Sequence, residues 1–281
     1  MADGSYRWFG HAPEPDAARV AAIHAAWDEA TAHAFGEPAR AAAVERLERA
    51  LAAARVGDLA GVADSLAGTR SLIEALQPRA LERRRGLASL FDSRGKRLKR
   101  FRAAYRDAAA RLTDSVAALP EWTEAAARRS GALETLWGEL RDAVADLDAH
   151  LAAAARRLTG QAPAEDGPPH PLKARKATLD DCRAAALQSL PLIRSAQNAD
   201  ARASEALRTC GEGLTAWRDD WREALGLSGK RPRRIRPDAE RLARSRDQVL
   251  ARLDRTLAEL KALGARRNDV EGRLAALRTP L

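Results

Sequence analysis

The segment LETLWGELRDAVADLDAHLAAAARRL, residues 133–158, gives the clearest indication of the fold class. Its apolar side chains recur at alternating steps of three and four residues, which keeps them on one helix face for more than three heptads. A seven-residue repeat sustained over this length is typical of a coiled coil rather than of an isolated amphipathic helix. The repeat consists of Leu133, Trp137, Leu140, Val144, Leu147, Leu151, Ala154 and Leu158.

Composition extends this prediction to the whole chain of 281 residues. Alanine supplies 65 residues, about half of the hydrophobic total, whereas valine and isoleucine together supply 12 and aromatic residues only 4%. Because strands favour β-branched and aromatic side chains, little remains from which to build a sheet. We therefore predict an all-α fold, an elongated antiparallel helical bundle or coiled coil with long helices and a short N-terminal helical unit.

Helix-breaking residues divide the predicted bundle into four parts. They are a unit of short helices (1–77), a basic lead-in with a coiled-coil hairpin (78–158), a linker rich in proline and glycine (159–177), and two long helices joined by a basic loop (178–281).

Three local signals set the helix boundaries inside these parts. The first amphipathic helix is expected over residues 16–35, and Gly36 ends it. Pro120 is expected to start a new helix and so to mark the turn of the hairpin. Thr178 followed by Asp181 resembles a capping box and predicts the start of the first long C-terminal helix.

Secretory and membrane-spanning segments are not indicated. The first fifteen residues lack a basic start followed by an apolar run. The longest stretch without charge, residues 184–193, falls well short of the roughly 18 residues that suggest a membrane span. We expect a cytoplasmic protein, with a peripheral place at the inner membrane as a further option.

No catalytic, cofactor or metal-binding pattern is found, and we expect a protein that is not an enzyme and has no cofactor. Cys182 and Cys210 are 28 residues apart on one predicted helix, too far for a disulfide within one chain. Free thiols are expected, with a bridge between the chains of a parallel dimer as the alternative. One stripe combines three carboxylates and an imidazole, but a di-iron bundle needs Glu-x-x-His on two helices, so a solvated face is favoured over a site. The stripe consists of Glu139, Asp142, Asp146 and His150.

Positive charge is the most informative feature because it is concentrated. Residues 79–106 contain eleven lysines or arginines and two acids, a net charge of +9 that equals that of the whole chain. Residues 230–236 add five cations and no acid. Such clusters suit anionic lipid headgroups or nucleic acid, and a solvated helix start is the third interpretation. The residues expected at an anionic surface are Arg83, Arg84, Arg85, Arg94, Lys96, Arg97, Lys99, Arg100, Arg102, Lys230, Arg231, Arg233, Arg234 and Arg236.

Lipid is favoured over nucleic acid for this surface. Phe91, Phe101 and Tyr105 interleave the cations, as in an interfacial amphipathic helix. No recognisable nucleic-acid-reading element is found, so nucleic-acid binding would be nonspecific in sequence. Cations at a helix start oppose the macrodipole, which suggests compensation by an external anion. Replacing Arg97, Lys99, Arg100 and Arg102 with glutamine is therefore expected to abolish binding to anionic vesicles and to leave the fold intact.

Two tryptophans extend the seam of the helix predicted from residue 178. This seam runs from Cys182 to Trp221, and Trp217 lies one turn before its end. The pair is interpreted either as core packing or as an exposed anchor for a partner helix or a membrane interface. Protein partners are expected to bind through helical seams, and the seams could equally close within one chain or across a homo-oligomer.

Several blocks of sequence resemble the toxic anion resistance (TelA, tellurite resistance) family. They cover about residues 77–277 with gaps, and the first 76 residues resemble nothing specific. Arg194 belongs to an Ile-Arg pair in the block 190–207. Trp217 would match a single tryptophan of the family in the block 215–227. The family usually has a longer helical stretch where this chain has SGKRPRRIRP. The blocks are SLFDSRGKRLKRFRAAYRDAAARLTDSVAAL (89–119), LPLIRSAQNADARASEAL (190–207), TAWRDDWREALGL (215–227) and the last helix (242–277) with its pair Arg266-Arg267.

The resemblance implies a divergent, shortened relative: a cytoplasmic helical protein linked to tolerance of toxic oxyanions or to envelope stress, with no accepted catalytic residues. On this basis we expect a non-enzymatic scaffold or adaptor in a stress response. The alternative is a helical protein that binds nucleic acid without sequence preference.

Overall fold

The computed structural model describes residues 14–55, 59–82, 94–159, 170–229, 232 and 235–279. These residues form helices and no strand, which confirms the predicted all-α fold. None of the helices in these ranges is long and apolar enough to cross a bilayer. The α-helices are α1 (Ala17–Ala25), α2 (Glu37–Ala54), α3 (Leu59–Ala75), α4 (Arg94–Thr159), α5 (Pro171–Ala224) and α6 (Ala239–Arg278), with 3₁₀ helices at Glu29–Ala34 and Pro78–Leu81.

The predicted first helix is divided in two. α1 begins after Asp16, whose side chain accepts a hydrogen bond from the Ala18 N–H at 3.0 Å. Asp28 then caps the 3₁₀ helix by accepting from the Ala30 N–H, also at 3.0 Å. A second capping carboxylate inside the expected helix therefore breaks it. Gly36, which was expected to end the first helix, is the N-cap residue of α2.

The predicted hairpin at Pro120 is wrong, because α4 is one helix of 66 residues that continues through the proline. Pro120 has no N–H for the Val116 carbonyl, and a proline inside a helix costs about 3 kcal/mol or more. Leu119 and Trp122 are buried on either side of it while Pro120 itself is exposed. Burial of the neighbouring side chains offsets the lost hydrogen bond, so the helix does not end.

The predicted linker is shorter than expected at its C-terminal side. α5 begins at Pro171, where the N–H missing from proline needs no partner. The His170 Nδ1 atom accepts a hydrogen bond from the Leu172 N–H at 3.1 Å. Thr178 lies within α5 and donates its hydroxyl to the Ala174 carbonyl, so it does not cap the helix. Residues 160–169, the rest of this predicted linker, lie outside the described residues.

The chain folds into two compact units, and each is assembled from separate segments. The first contains Met1–Arg55, Arg129–Asn198 and Arg267–Leu281, and the second contains Val56–Arg128 and Ala199–Arg266. The domain boundaries expected along the sequence differ from this division, because α4, α5 and α6 each contribute to both units.

The core of the first unit is formed where α2 and the ends of α5 and α6 pack on α4. The heptad repeat of residues 133–158 contributes three fully buried side chains to this core, those of Leu140, Val144 and Leu147. Arg194 of α5 lies over the Trp137 ring at 4.3 Å and forms an ion pair with Glu134, so it links α5 to α4 on the rim of this core.

The core of the second unit is formed by α3 and the other parts of α4, α5 and α6. Its largest members are aromatic side chains of α4 and α5. The seam predicted for α5 is buried along its whole length, from Cys182 in the first unit to Trp221 in the second. Cys182 and Cys210 are free thiols, as the sequence predicts.

Candidate anion-binding site

The predicted anionic-surface residues are described only in part. Lys96, Lys99 and Arg100 are exposed on α4 and are named the α4 cationic face, and Arg236 is exposed before α6. Lys99 and Arg100 make no hydrogen bond or ion pair with any residue that the structure describes. Arg83, Arg84, Arg85, Lys230, Arg231, Arg233 and Arg234 lie outside the described residues, as does the side chain of Arg94.

Arg97 belongs to the cationic cluster and also forms hydrogen bonds that support the fold. Its Nη1 atom donates to the carbonyls of Ala80 and Glu82, both at 2.9 Å. These carbonyls lie at the end of the Pro78–Leu81 3₁₀ helix, where backbone oxygens carry partial negative charge. The cation at the start of α4 is therefore compensated from within the chain, and no external anion is needed for it.

Arg102 has the same role at the end of α5. Its Nε atom donates to the Leu225 carbonyl at 2.8 Å. α5 ends in a Schellman motif, since the Gly226 N–H bonds the Glu223 carbonyl and the Leu227 N–H bonds the Arg222 carbonyl, both at 2.8 Å. Burial lowers the pKa of the Arg102 guanidinium, and the neighbouring Arg106 charge lowers it further.

The aromatic residues between the cations belong to the core, so the expected interfacial helix is wrong for them. Phe101 and Tyr105 are buried, at 7% and 2% exposure, while Phe91 lies outside the described residues. Their rings pack 5.9 Å from Trp221, and Trp217 lies 4.6 Å from Trp221. Because the two tryptophans are 5% and 0% exposed, core packing is confirmed and the exposed anchor is wrong.

The structure brings together a second group of cations that sequence reasoning missed. Arg106 of α4 meets Arg218 and Arg222 of α5 at a surface groove of about 410 Å³, named the arginine groove. The available signal was the spacing of Arg218 and Arg222, one turn apart and each directly after a core tryptophan. The residues that line the groove are Tyr105, Arg106, Ala109, Ala110, Thr113, Arg218, Arg222 and Leu227.

Tyr105 holds the floor of the arginine groove in place. Burial, with a smaller contribution from the Asp219 charge, raises the pKa of Tyr105 to about 12 against the opposing effect of Arg218. The phenol therefore stays protonated and donates a hydrogen bond to the Arg218 carbonyl. This bond ties α4 to α5 at the backbone of Arg218.

The acidic stripe of α4 faces other helices rather than only solvent. Glu139 accepts from Arg49 of α2 at 2.8 Å, and Asp146 accepts from Arg19 of α1 at 2.6 Å. His150 is half-buried, with Nδ1 3.3 Å from the Asp146 carboxylate. The expected solvated face is therefore wrong for Glu139, Asp146 and His150, whereas Asp142 is exposed as expected. Across the described ranges, no cluster of His, Cys, Asp or Glu side chains could hold a metal ion.

Both cysteines are poor nucleophiles in this setting. Burial raises the pKa of the Cys182 thiol and of the Cys210 thiol. Because the thiolate is the reactive form, a raised pKa lowers the reactivity of each at neutral pH. Their burial agrees with packing as small apolar side chains.

Fold and surface together define an all-α protein in which Arg97 and Arg102 support helix ends, while Lys99, Arg100 and Arg106 are exposed on α4. The family model described as toxic anion resistance protein (TelA) matches residues 20–191, more than half of the chain. The chain belongs to the toxic anion resistance (TelA) family. No curated protein and no solved structure matches it.

The matched range differs from the range that carried the resemblance. The block 89–119 lies inside the match, whereas the block 215–227 and the last helix lie beyond residue 191. Residues 20–76, which suggested nothing specific, lie within it. The family assignment is confirmed, and the shared segment includes most of α1 and all of α2 and α3.

Proposed function

We propose that this member of the toxic anion resistance family is a non-catalytic helical adaptor that binds anionic membrane surfaces through the α4 cationic face. The supporting observation is that Lys99 and Arg100 are exposed and have no partner among the described residues. They lie in the second turn of α4, within the stretch 79–106 where the positive charge of the chain is concentrated. Each Lys or Arg near an anionic bilayer contributes about 1 kcal/mol, so these residues favour a surface that supplies negative charge.

Binding of this kind is electrostatic and does not require insertion into the bilayer. The aromatic residues Phe101 and Tyr105, which would have to enter the lipid, are buried in the second unit. The interaction therefore acts between headgroups and exposed cations, and salt screens it over about 8 Å at physiological ionic strength. We expect reversible, salt-sensitive recruitment to the cytoplasmic face of the membrane.

Two double variants test the proposal by co-sedimentation with vesicles that contain phosphatidylglycerol. Lys99→Gln with Arg100→Gln removes two exposed cations, and the expected loss of about 2 kcal/mol corresponds to about thirtyfold weaker partitioning at low salt. Arg202→Gln with Lys261→Gln is the matched control, because both residues are exposed in the second unit and have no partner among the described residues. The control is expected to bind like the parent.

Equal pelleting of the two double variants would overturn the role of the α4 cationic face. A parent protein that binds neutral and anionic vesicles alike would overturn the proposal itself. An electrophoretic shift of duplex DNA that needs Lys99 and Arg100, without vesicle binding, would favour the nucleic-acid interpretation instead.

Arg97 and Arg102 are left out of the test variant because they have structural partners. Each donates to backbone carbonyls, and a hydrogen bond to a charged group is worth about 1.5–3 kcal/mol when well buried. The expectation that all four cations can be replaced without harm to the fold is revised for these two. Restricting the variant to Lys99 and Arg100 separates surface charge from stability.

A further inference from the structure

The arginine groove combines a concave shape with an unbalanced charge. Three of its eight lining residues are arginines and none is acidic. Asp219 is the acidic group nearest in the chain to Arg218, and it accepts from Arg218 Nε at 3.0 Å. The other two guanidinium groups have no carboxylate partner among the described residues. The groove therefore carries a surplus of positive charge.

Arg218 is fixed in position, as a binding group needs to be. Its Nη1 atom donates to the Thr113 hydroxyl at 3.1 Å, while Tyr105 donates to its carbonyl. Thr113 in turn donates to the Ala109 carbonyl at 2.8 Å, so both hydroxyls of the groove are already engaged. A guanidinium has five N–H donors, and these contacts leave several of them for a ligand.

Arg106 of α4 and Arg222 of α5 also line the groove. Arg222 Nε reaches the Leu227 carbonyl only at 3.4 Å, which is a weak hydrogen bond. Arg106 has no hydrogen-bond or ion-pair partner in the described part of the chain. Its charge also disfavours the charged form of Arg102, one turn earlier. Like charges placed together without a counter-charge raise the free energy, and an anion between them would lower it.

We propose that the arginine groove is a binding site for a small oxyanion of the phosphate type. A planar guanidinium group can donate hydrogen bonds to two oxygens of such an anion at once. A spherical anion offers only one acceptor atom and cannot bind in this way. Ala109, Ala110 and Leu227 form an apolar wall beside the donors. These side chains offer no acceptor that would compete with the anion for the guanidinium donors.

This inference does not rest on the proposed membrane role, because it uses none of the residues of the α4 cationic face. The phosphate could be free in solution or belong to a lipid headgroup, and both present the same oxygens to the groove. The probes are therefore inorganic phosphate and a short-chain phosphatidylglycerol kept below its micelle concentration, with chloride as the reference anion.

Calorimetric titration of the full chain tests the site with three variants. Arg106→Gln with Arg222→Gln is expected to weaken phosphate binding at least about tenfold, because two of three guanidinium groups are lost. Arg106→Lys with Arg222→Lys keeps the charge and loses the planar fork, so it should also bind phosphate more weakly than the parent. Arg202→Gln with Lys261→Gln should bind phosphate like the parent. Circular dichroism of each variant shows whether the helices are retained.

Saturable binding of phosphate by the parent, lost in the glutamine variant and kept in the control, supports the proposal. Binding of the short-chain lipid alone, with the same dependence on Arg106 and Arg222, supports it and assigns the phosphate to a headgroup. The proposal is overturned if neither probe binds saturably, if chloride competes equally, or if the lysine variant matches the parent. Equal weakening in the control variant would also overturn it.

Discussion

Gly226 ends α5 with a backbone conformation that other residues adopt only at a cost. Its φ angle is +66°, in the left-handed region that the Schellman motif requires. A Cβ atom added there would lie 3.0 Å from Ile235 Cδ1 and 3.2 Å from Arg102 Nη2. Both the backbone and the neighbouring side chains therefore select glycine at this position.

Gly226→Ala is expected to lower the free energy of unfolding by about 1–2 kcal/mol, from the positive φ angle and the close contact with Ile235. Gly68→Ala is the control, since it lies within α3 and a Cβ there would contact nothing within 4 Å. That change should stabilise the protein by about 0.5–1 kcal/mol. Urea unfolding of both variants measures the two effects. A Gly226→Ala variant that is more stable than the parent would contradict the requirement for glycine in the Schellman motif.

His150 makes part of the stability of the first unit dependent on pH. Its hydrogen bond to Asp146 raises the pKa of His150 above the ordinary value of 6.5, despite partial burial. The pKa of Asp146 is lowered by the bond with His150 and, to a lesser degree, by the bond with Arg19. The pair holds α4 and α1 together through Arg19.

The signs of the two shifts define the window of stabilisation. The His150 contribution is complete below its unfolded pKa near 6.5 and is lost as pH rises through the higher folded value. The Asp146 contribution is present above its ordinary pKa of 3.8 and is lost as pH falls through the lowered folded value. The stabilising effect is therefore greatest between these two ordinary values.

His150→Gln should therefore destabilise the protein more at pH 5 than at pH 8, with a difference of about 0.5–1 kcal/mol. Chemical unfolding at the two pH values measures it. Asp146→Asn should reduce the same pH dependence, because it removes the partner that raises the His150 pKa. A constant difference between His150→Gln and the parent across this range would contradict the assignment.

At the scale of the elements, α4 carries a proline that its sequence pattern suggested as a boundary. The helix tolerates Pro120 because apolar side chains on both sides of it are buried. The missing hydrogen bond is a local cost inside a helix that is held by packing.

Pro120→Ala is expected to raise the free energy of unfolding by about 1–2 kcal/mol. It restores a backbone donor, and the greater freedom of the unfolded chain offsets part of the gain. Pro171→Ala is the matched control, since Pro171 is at the first position of α5, where its missing N–H costs nothing. Thermal unfolding compares the two, and a destabilised Pro120→Ala would show that the proline is needed for the packing of α4.

At the scale of the whole molecule, the two compact units differ in the surfaces that they carry. The α4 cationic face and the arginine groove lie in the second unit, whereas the family match covers parts of both units. α4 and α5 each contribute to both units, so neither unit corresponds to one continuous stretch of sequence.

Deletion of the gene is expected to lower the concentration of tellurite, or of an envelope-damaging agent, that cells tolerate. The reason is the family assignment together with the proposed adaptor role. Growth assays with plasmid rescue measure the effect: the parent and the Arg202→Gln, Lys261→Gln control should restore tolerance, and Lys99→Gln with Arg100→Gln should restore it less. Unchanged tolerance of both kinds of agent after deletion would contradict the role.

Local sequence patterns were sufficient to predict the fold class, the seams and the family. Apolar periodicity identifies which face of a helix is buried, so the α5 seam from Cys182 to Trp221 could be predicted residue by residue. The concentration of cations could also be found from the sequence, as could the two free thiols. These properties depend on local sequence patterns, which can be identified without knowledge of the tertiary contacts.

The contacts of each cation could not be predicted without the three-dimensional arrangement of the helices. Arg97 and Arg102 donate to carbonyls 15 and 123 residues away in the chain, and Arg106 meets Arg218 and Arg222 from another helix. Such contacts depend on which helix ends and faces come together in space, and no spacing within one helix encodes them. The continuation of α4 through Pro120 could not be predicted for the same reason. It depends on the balance between a lost hydrogen bond and the burial of neighbouring side chains, which is set by packing across helices.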